Sequence, residues 1–240
     1  MVEFTGERIV PGAVDEDLLH EHVSRYRFAS RFAVGKRCLD AGCGLGYGTA
    51  LLSQSAATAV GVDVDPGTVL RAREANRLPG LNFSISDVCA LPFADGHFDL
   101  SVSFEVVEHM QDWRRFLREL ARVTARHGVA LVSTPNRDYY AESRGESGPN
   151  PFHVHEFDYS EFLDAMRDVF QHVRVIGQNA VPAISFFGSE DRSALETFRD
   201  SSDAVVADAQ FYIAVCSHDS LPASGDFVYL ASTGNVLMER

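Results

Sequence analysis

The sequence predicts an α/β fold: a doubly wound, mostly parallel sheet of seven strands with helices on both faces, preceded by an N-terminal helical arm. Three observations predict this fold. Short apolar runs alternate with helix-forming segments from about residue 36 onward, as in successive βαβ units. A glycine-rich turn joins the first apolar run to its helix. The length of 240 residues suits one hydrophobic core rather than two independent ones.

The first 35 residues are predicted to be an arm and a helix that close over the rest of the domain as a lid. Glycine, proline and acidic side chains are mixed up to residue 17, which is typical of irregular chain, and a helix is predicted over residues 18–34. Within the arm, the segment from Phe4 to Pro11 is expected to fold over the functional site. A closed lid would exclude water from that site.

Strands and helices alternate along the remaining chain, residues 36–240. The first strand lies in the run RCLDA, and its helix continues through Leu52. Pro66 suits the first turn of a helix, Asp112 suits an N-cap, and Gly128 suits a helix end. The other six strands of the sheet are predicted at 58–62, 82–85, 98–105, 129–135, 173–176 and 211–217, and an additional strand is predicted in the tail at 227–232. The further helices are predicted at 66–76, 112–126 and 160–170.

Charge and composition exclude several classes of function. Acidic side chains outnumber basic ones by 34 to 21, and a net charge of −13 repels nucleic acid, so no nucleic-acid partner is expected. No apolar run approaches the roughly 20 residues of a membrane helix, and the N-terminus lacks the layout of a signal peptide. We therefore expect no membrane partner and a cytoplasmic protein. The four cysteines show no CxxC pairing, so neither a disulfide nor a zinc site is expected.

The glycine-rich turn after the first strand reads DAGCGLG over residues 40–46. Glycines let a ligand approach the backbone closely, and ligands of such sheets bind beyond the carboxyl ends of the strands. The dinucleotide pattern GxGxxG would need a third glycine at Tyr47 or Thr49, which disfavours an NAD site. The turn instead resembles the DxGxGxG motif of class I S-adenosylmethionine-dependent methyltransferases, whose fold is Rossmann-like.

Two carboxylates follow the turn at the intervals of that family. Asp63 ends the second strand, where its side chain can accept hydrogen bonds from both hydroxyls of a ribose. The resemblance implies that Asp87 binds the adenine amino group and that Val88 offers its backbone N–H. The run FDLSVSFEVVEHM resembles the family's fourth strand, whose end lies beside the sulfonium. The cofactor-binding residues that the resemblance implies are Asp40, Gly42, Gly44, Asp63, Val64, Asp87, Val88, Phe104 and Glu105.

Asp40 has two predicted roles. In the resembled family, the carboxylate at this position reaches the amino group of the methionine part of S-adenosylmethionine, often through water. In the second role, Asp40 only holds the glycine turn in place. The sequence leaves both roles open, because either one needs an acidic residue at the end of the first strand.

A cluster of acids and histidines follows the fourth strand. If the chain enters a helical turn there, Glu105, Glu108 and His109 project to one side. His153 and His155 follow the fifth strand and belong to the same edge of the sheet. An amine acceptor needs little beyond alignment with the methyl group of the donor. A hydroxyl is a poorer nucleophile, and its reactivity increases when a general base removes its proton or a metal ion lowers its pKa. The candidate catalytic groups are His109, His155 and Glu108.

Two interpretations of this cluster stay open. The pattern ExxEH with a later HxF resembles the metal-dependent, plant-type methyltransferases of small-RNA 3′ ends. That resemblance implies Mg²⁺ or another divalent metal held by Glu105, Glu108, His109 and His155. The pattern EVxEH is also similar to methyltransferases of the ubiquinone-biosynthesis type, which implies that Glu108 is structural and that His109 or His155 is a base or a hydrogen-bonded loop residue. His153 can exchange roles with His155 under either interpretation.

Three further segments, FTGERIVPG, EHVSRYRFAS and STPN with the later NPFHVHEF, resemble a bacterial methyltransferase group found with glycosyltransferases and in natural-product pathways. The resemblance implies O-methylation of a sugar or of a glycosylated or secondary metabolite, and hence a small acceptor that contains a sugar. It places the methyltransferase domain at residues 36–240, with acceptor-side insertions at 136–159 and 177–210. The alternatives are N- or C-methylation of a small molecule and a non-catalytic regulator that binds S-adenosylmethionine. A monomer and a homodimer are both compatible with the sequence.

Overall fold

The computed structural model of the chain describes residues 9, 14, 16–143, 150–181, 205–223 and 225–229. Its strands are β1 (Arg37–Ala41), β2 (Thr58–Asp63), β3 (Leu81–Ile85), β4 (Phe98–Phe104), β5 (Thr124–Pro135), β6 (His172–Gln178) and β7 (Phe211–Ser217). Its α-helices are α1 (Glu16–Ser30), α2 (Tyr47–Ser53), α3 (Pro66–Ala75), α4 (Trp113–Val123), α5 (Arg137–Ser143) and α6 (Tyr159–Arg167). Short 3₁₀ turns span Val107–His109 and Val206–Asp208.

All of these strands belong to one sheet, in the order β3-β2-β1-β4-β5-β7-β6. The first five pair in parallel, and β7 runs antiparallel to both β5 and β6. The predicted mostly parallel, doubly wound sheet of seven strands is therefore confirmed. The strand order reverses between β1 and β4, and in sheets of this kind a ligand binds at the carboxyl ends beside such a reversal.

Helices cover both faces of the sheet because each one buries a single apolar stripe. Helix α4 shows the pattern clearly: its buried residues recur every three or four positions and contribute to the core that also contains α6. These residues are Trp113, Phe116, Leu117, Leu120, Ala121 and Val123. Helices α1 and α2 pack on the opposite face, where Tyr26, Phe28 and Leu52 join Leu100 and Leu131 in a second cluster. The two layers hold the carboxyl edge of the sheet in a fixed position.

The end of α4 differs from the prediction. The helix stops at Val123 and β5 begins at Thr124, whereas the sequence predicted helix through residue 126. The Thr124 hydroxyl donates to the carbonyl oxygen of Leu120 at 2.7 Å, and a β-branched residue suits a strand. Gly128, predicted to end the helix, lies inside β5, where a Cβ would come within 2.9 Å of the Ala125 carbonyl oxygen. Glycine is needed there because neighbouring backbone atoms approach it closely, and not because a helix ends there.

The chain termini differ from the prediction as well. Helix α1 ends at Ser30 instead of residue 34, because the chain turns through Gly35, with a φ of 67°, to enter β1. Residues 227–229 form no strand, and the rest of the predicted tail strand lies outside the described residues. Almost all of the predicted lid segment and residues 182–204 of the second insertion also lie outside the described residues. No helix in the described ranges is both long and apolar enough to cross a membrane.

Candidate functional site

The glycine turn lies at the carboxyl edge of the sheet, between β1 and α2. Gly42, Gly44 and Gly46 have φ angles of 84°, 52° and 77°, a backbone conformation that favours glycine. A Cβ on Gly42 would lie 2.5 Å from Val106 Cγ2, and one on Gly46 would lie 2.5 Å from Phe83 Cε1. A Cβ on Gly44 would meet nothing within 4 Å, so space is open above the middle of the turn. This open cradle fits a ligand that lies against the backbone.

Two of the predicted carboxylates stand beside the cradle, at the ends of the neighbouring strands β2 and β3. Asp63 Oδ2 accepts a hydrogen bond from the Gly44 N–H at 3.1 Å, and its Oδ1 accepts one from the Asp65 N–H at 3.0 Å. A carboxylate oxygen has two lone pairs and can accept more than one hydrogen bond, as ribose binding by Asp63 would require. Asp87 is exposed, and its Oδ1 accepts from the Cys89 N–H at 2.8 Å. Both carboxylates therefore fit the adenosine part of S-adenosylmethionine.

Three apolar residues that the sequence assigned to the cofactor follow the same edge. Val64 is 64% exposed, whereas Val88 and Phe104 are buried. The Phe104 ring packs edge-to-face on Tyr26, with ring centroids 5.0 Å apart. Val64 can thus offer apolar side-chain surface to a ligand, while Val88 and Phe104 can offer mainly their backbone groups.

Asp40 holds the glycine turn between two helices. The residue is fully buried, with Oδ1 3.2 Å from the Tyr26 hydroxyl that donates to it and Oδ2 2.6 Å from the donating Thr49 hydroxyl. Both oxygens thus serve internal contacts, to α1 through Tyr26 and to α2 through Thr49. These contacts are those of the second predicted role, while the role at the methionine amino group stays a prediction. Burial also raises the pKa of Asp40 to about 7.

This raised pKa makes the stability of the protein depend on pH. The folded state binds the Asp40 proton more tightly than the unfolded state, where the pKa is about 3.9. The stabilisation is complete below that value and is lost as the pH rises through about 7. We expect the wild-type Tm to fall between about pH 5 and pH 8. We expect Asp40→Asn to remove part of that fall, on the order of 3 kcal/mol at most. Thermal unfolding across this range checks it, and an unchanged slope in the variant would contradict it.

Glu105 follows β4 in a strained backbone conformation. Its φ is 56°, and it is the single non-glycine residue with positive φ in the described part of the chain. Its Oε1 accepts from the Ser133 hydroxyl at 2.6 Å and lies 3.6 Å from Arg25 Nη1. The next residue, Val106, lies against Gly42 of the cradle. Strain of this kind persists where the surroundings fix it, often at functional sites, so β4 ends in a carboxylate held beside the glycine turn.

Glu108 is the buried acid of the site. It lies in the first 3₁₀ turn and is 1% exposed. The Thr134 hydroxyl donates to its Oε2 at 3.4 Å, while Oε1 has no hydrogen-bond partner among the described residues. Burial raises the pKa of Glu108 well above its ordinary value, and the charge of Glu105 raises it further. This carboxyl therefore favours holding a proton or binding a cation that replaces the proton.

Two histidines approach Glu108 from different segments. His109 Nδ1 lies 2.9 Å from the Phe152 carbonyl oxygen, which requires a proton on that nitrogen. His153 Nδ1 lies 2.9 Å from Glu156 Oε1, and the two imidazole rings meet edge-to-face with centroids 5.0 Å apart. Glu108, His109 and His153 each offer a ligand atom, and these atoms lie within 4.8 Å of one another. We call these three residues the acid–histidine cluster.

His155 lies apart from this cluster, which corrects the predicted set of Glu105, Glu108, His109 and His155. Its Nε2 is 2.8 Å from Glu161 Oε1 at the start of α6, and its ring stacks on Trp113. The backbone N–H groups of Val154 and His155 both donate to the Glu108 carbonyl oxygen, at 2.8 and 3.1 Å. This turn directs the His155 ring toward α6, so His153 takes the place that the sequence gave to His155. Glu105 is instead held by Ser133.

Sequence reasoning missed Arg25. Its side chain is fully buried, its Nε donates to Gln178 Oε1 at 2.6 Å, and its Cζ lies 4.2 Å from the centre of the Phe211 ring. Residues three and four positions after it, Phe28 and Ala29, are buried in the core. An arginine at a position of the buried helical stripe was therefore the available signal, and the sequence analysis did not use it.

Comparison with known proteins places the geometry in context. Residues 39–132 match a family model described as a methyltransferase domain. A probable S-adenosylmethionine-dependent methyltransferase of Mycolicibacterium smegmatis is 36% identical over 163 residues, which cover 68% of this chain and 62% of that protein. One of Mycobacterium tuberculosis is 33% identical over 169 residues, covering 70% and 61%. The chain thus spans about three-fifths of the length of these relatives.

A solved structure supports the fold. The crystal structure of a SAM-dependent methyltransferase from Aquifex aeolicus aligns with a TM-score of 0.59 at 17% identity, covering 84% of this chain and 93% of that one. At this identity the likeness concerns the fold alone. It agrees with the sheet order described above.

Proposed function

We propose that the chain carries a class I S-adenosylmethionine-dependent methyltransferase domain and that the protein transfers the methyl group of S-adenosylmethionine to a small acceptor, a proposal that the matched family model and the methyltransferase relatives support. The observation that carries this proposal is the open cradle above Gly44, flanked by the carboxylates of Asp63 and Asp87. Asp63 binds the ribose hydroxyls and Asp87 the adenine amino group. When bound, S-adenosylmethionine supplies an electrophilic methyl carbon, so the protein's main task is alignment of the acceptor.

We propose further that the acceptor reacts through an oxygen of a sugar-containing small molecule. The acid–histidine cluster supports this assignment, because a hydroxyl gains from proton removal whereas an amine needs mainly alignment. The cluster follows β4 directly, beyond the strained residue Glu105, and so stands next to the cradle. The resemblance to methyltransferases found with glycosyltransferases supports the sugar.

His153 is the proposed general base. Its Nδ1 faces the Glu156 carboxylate, an arrangement that fixes the proton on Nδ1 and leaves the lone pair on Nε2. Nε2 accepts a hydrogen bond from the Asn150 side-chain amide at 3.1 Å, and in this proposal the acceptor hydroxyl replaces that weak donor. The proton then passes from the hydroxyl to Nε2 as the oxygen bonds to the methyl carbon. His109 and the protonated Glu108 form the wall against which the acceptor is positioned.

A bound divalent cation is the alternative means of activating the hydroxyl, and one observation favours it. Glu108 Oε1 is buried without a hydrogen-bond partner among the described residues, beside two imidazoles. Two nitrogens and one carboxylate suit Zn²⁺, Mn²⁺ or Fe²⁺ better than Mg²⁺. The expectation of Mg²⁺ or another divalent metal held by four residues thereby becomes a proposal about three residues.

Removing metal ions distinguishes the proposal of a general base from the alternative of a bound divalent cation. Because His153 with Glu156 suffices as a base, we expect methyl transfer to survive dialysis against a chelator with less than about a twofold loss. The measurement is the initial rate before and after dialysis and after adding back Mg²⁺, Mn²⁺ or Zn²⁺. A rate that collapses on dialysis and returns with one ion would contradict the base proposal in favour of the cation.

The proposed function itself is tested in two steps. Calorimetric titration of S-adenosylhomocysteine into the protein tests the cofactor, and absence of binding would overturn the proposal. Transfer of a labelled methyl group onto a panel of sugars, glycosides and matched amino compounds then tests the acceptor. Label on amines or carbon alone would contradict O-methylation, and binding without any transfer would favour a regulator that only binds the cofactor.

A further inference from the structure

Helix α4 carries a basic stripe on its exposed side, formed by Arg114, Arg115 and Arg118. All three residues are exposed. The segment of residues 113–126 holds five of the 21 basic side chains of the protein and only one of its 34 acidic ones. The rest of the chain is therefore even more acidic than the net charge of −13 indicates. A local excess of positive charge on so acidic a protein calls for a physical explanation.

Contacts within the protein do not neutralise the stripe. None of its arginines forms an ion pair with a carboxylate in the described part of the chain, and Glu119, the acid of α4, pairs with Arg122. The guanidinium of Arg114 lies over the Trp113 ring, with Cζ 4.0 Å from the ring centre, and Arg118 Nε donates to the Arg114 carbonyl oxygen at 3.1 Å. Stacking uses the flat face of a guanidinium and leaves its in-plane N–H donors available. The stripe is thus partly fixed in place while most of its donors remain available to a partner.

The stripe is unfavourable for the helix that carries it. Arg114 and Arg115 lie in the first turn of α4, which holds no acidic residue, and the helix dipole disfavours cations there. Arg114 and Arg118 are four positions apart, and like charges at this spacing repel each other. Glutamine or glutamate would form the helix about equally well without these penalties. A locally unfavourable choice of this kind is expected where a surface serves a function.

The size of the stripe favours a protein partner with a small acidic surface. Its Cα atoms span only about 6 Å along the helix axis. A membrane or a nucleic acid presents its negative charge to the whole of this acidic chain and is repelled by it. A helix that binds a membrane also exposes large apolar side chains, and among the described residues none of those lies on α4. A row of carboxylates on another protein matches the stripe without meeting the remaining charge.

The stripe begins beside the loop that carries the histidines of the proposed site. The Trp113 ring stacks on His155, with ring centroids 5.5 Å apart, and meets Phe157 edge-to-face at 5.2 Å. Arg114 in turn covers Trp113. A partner docked on the stripe therefore has one end at this loop.

We infer that the basic stripe of α4 is a docking surface for a row of carboxylates on a second protein, such as the exposed side of an acidic helix. Guanidinium groups bind carboxylates with two parallel N–H···O bonds, so three arginines spaced along a helix recognise three carboxylates at a similar spacing. The inference concerns binding alone and does not depend on the reaction that the protein catalyses.

The probe for this inference is a fluorescent, alanine-rich helical peptide of about 20 residues with glutamates at every third or fourth position. Its binding is measured by fluorescence anisotropy at low ionic strength. The stripe variant combines Arg114→Gln, Arg115→Gln and Arg118→Gln. We expect it to bind the peptide about 10-fold more weakly than wild-type protein, because three exposed ion pairs are lost. Added salt should weaken the wild-type complex, and a peptide with glutamine in place of glutamate should bind neither protein.

A matched control variant combines Arg27→Gln, Arg71→Gln and Arg77→Gln. It removes three exposed arginines from other parts of the surface, so it changes the net charge by the same amount as the stripe variant. Its affinity for the acidic peptide should stay within about twofold of wild type. Equal losses in the two variants, or no binding of the acidic peptide to wild-type protein, would overturn the inference.

Other occupants of the stripe are tested with the same proteins. We expect neither vesicles of phosphatidylserine and phosphatidylcholine nor a short DNA duplex to bind, and binding of either that depends on the stripe would refute a protein partner. Self-association in sedimentation that the stripe variant abolishes would assign the stripe to a second copy of this chain instead. We expect the Tm of the stripe variant to stay level or rise, since repulsion is removed. A large fall in Tm would show that the arginines stabilise the fold and would also contradict the inference.

Discussion

Gly44→Ala is expected to weaken binding of S-adenosylhomocysteine by about 100-fold. The added Cβ meets no protein atom within 4 Å, so it points into the space that the cofactor would occupy. The loss of affinity then arises because the added methyl group occupies space that the cofactor needs, and not because it clashes with protein atoms. Calorimetric titration measures it.

Gly35→Ala is the matched control for this experiment. Gly35 also has a positive φ, 67°, and a Cβ there would also meet nothing within 4 Å. Both variants therefore carry a similar backbone strain of about 1–2 kcal/mol, which thermal unfolding reports. Gly35 precedes β1 and lies outside the cradle, so its variant should bind the cofactor normally. Equal losses of affinity in both variants would show that strain, and not the cradle, explains the result.

His153→Ala is expected to lower kcat by about 100-fold to 1,000-fold, with the affinity for S-adenosylhomocysteine unchanged. The side chain is the proposed base, oriented by Glu156. The measurement is the rate of methyl transfer to the acceptor that the panel identifies.

His155→Ala provides the contrast, because the sequence named His155 as the candidate and left His153 able to exchange roles with it. His155 is bound to Glu161 and stacked on Trp113, so its loss should reduce stability by about 1 kcal/mol and kcat by less than about threefold. A large loss of kcat in His155→Ala with a normal rate in His153→Ala would contradict the assignment. Glu161→Gln should then mimic His155→Ala in stability alone, which distinguishes a structural partner from a reacting group.

The sequence determined most of the sheet and of the proposed cofactor site. Apolar runs located all seven strands, since the central strands of the sheet are buried along most of their length. The glycines of the turn and Asp63 were equally readable, because a positive φ and a position at the end of a strand are local properties of the chain. Parallel strands share one carboxyl edge, so local positions were enough to bring these groups together.

Only the tertiary structure decided which polar side chains meet. Asp40 turned inward because Tyr26 and Thr49, from different helices, donate to it. His153 rather than His155 joined Glu108 because two backbone N–H groups bind the Glu108 carbonyl oxygen and turn the loop. Arg25 reached the site from α1, far away in sequence. Such contacts depend on how separate segments pack and where their backbone donors lie, and sequence periodicity carries no information about either.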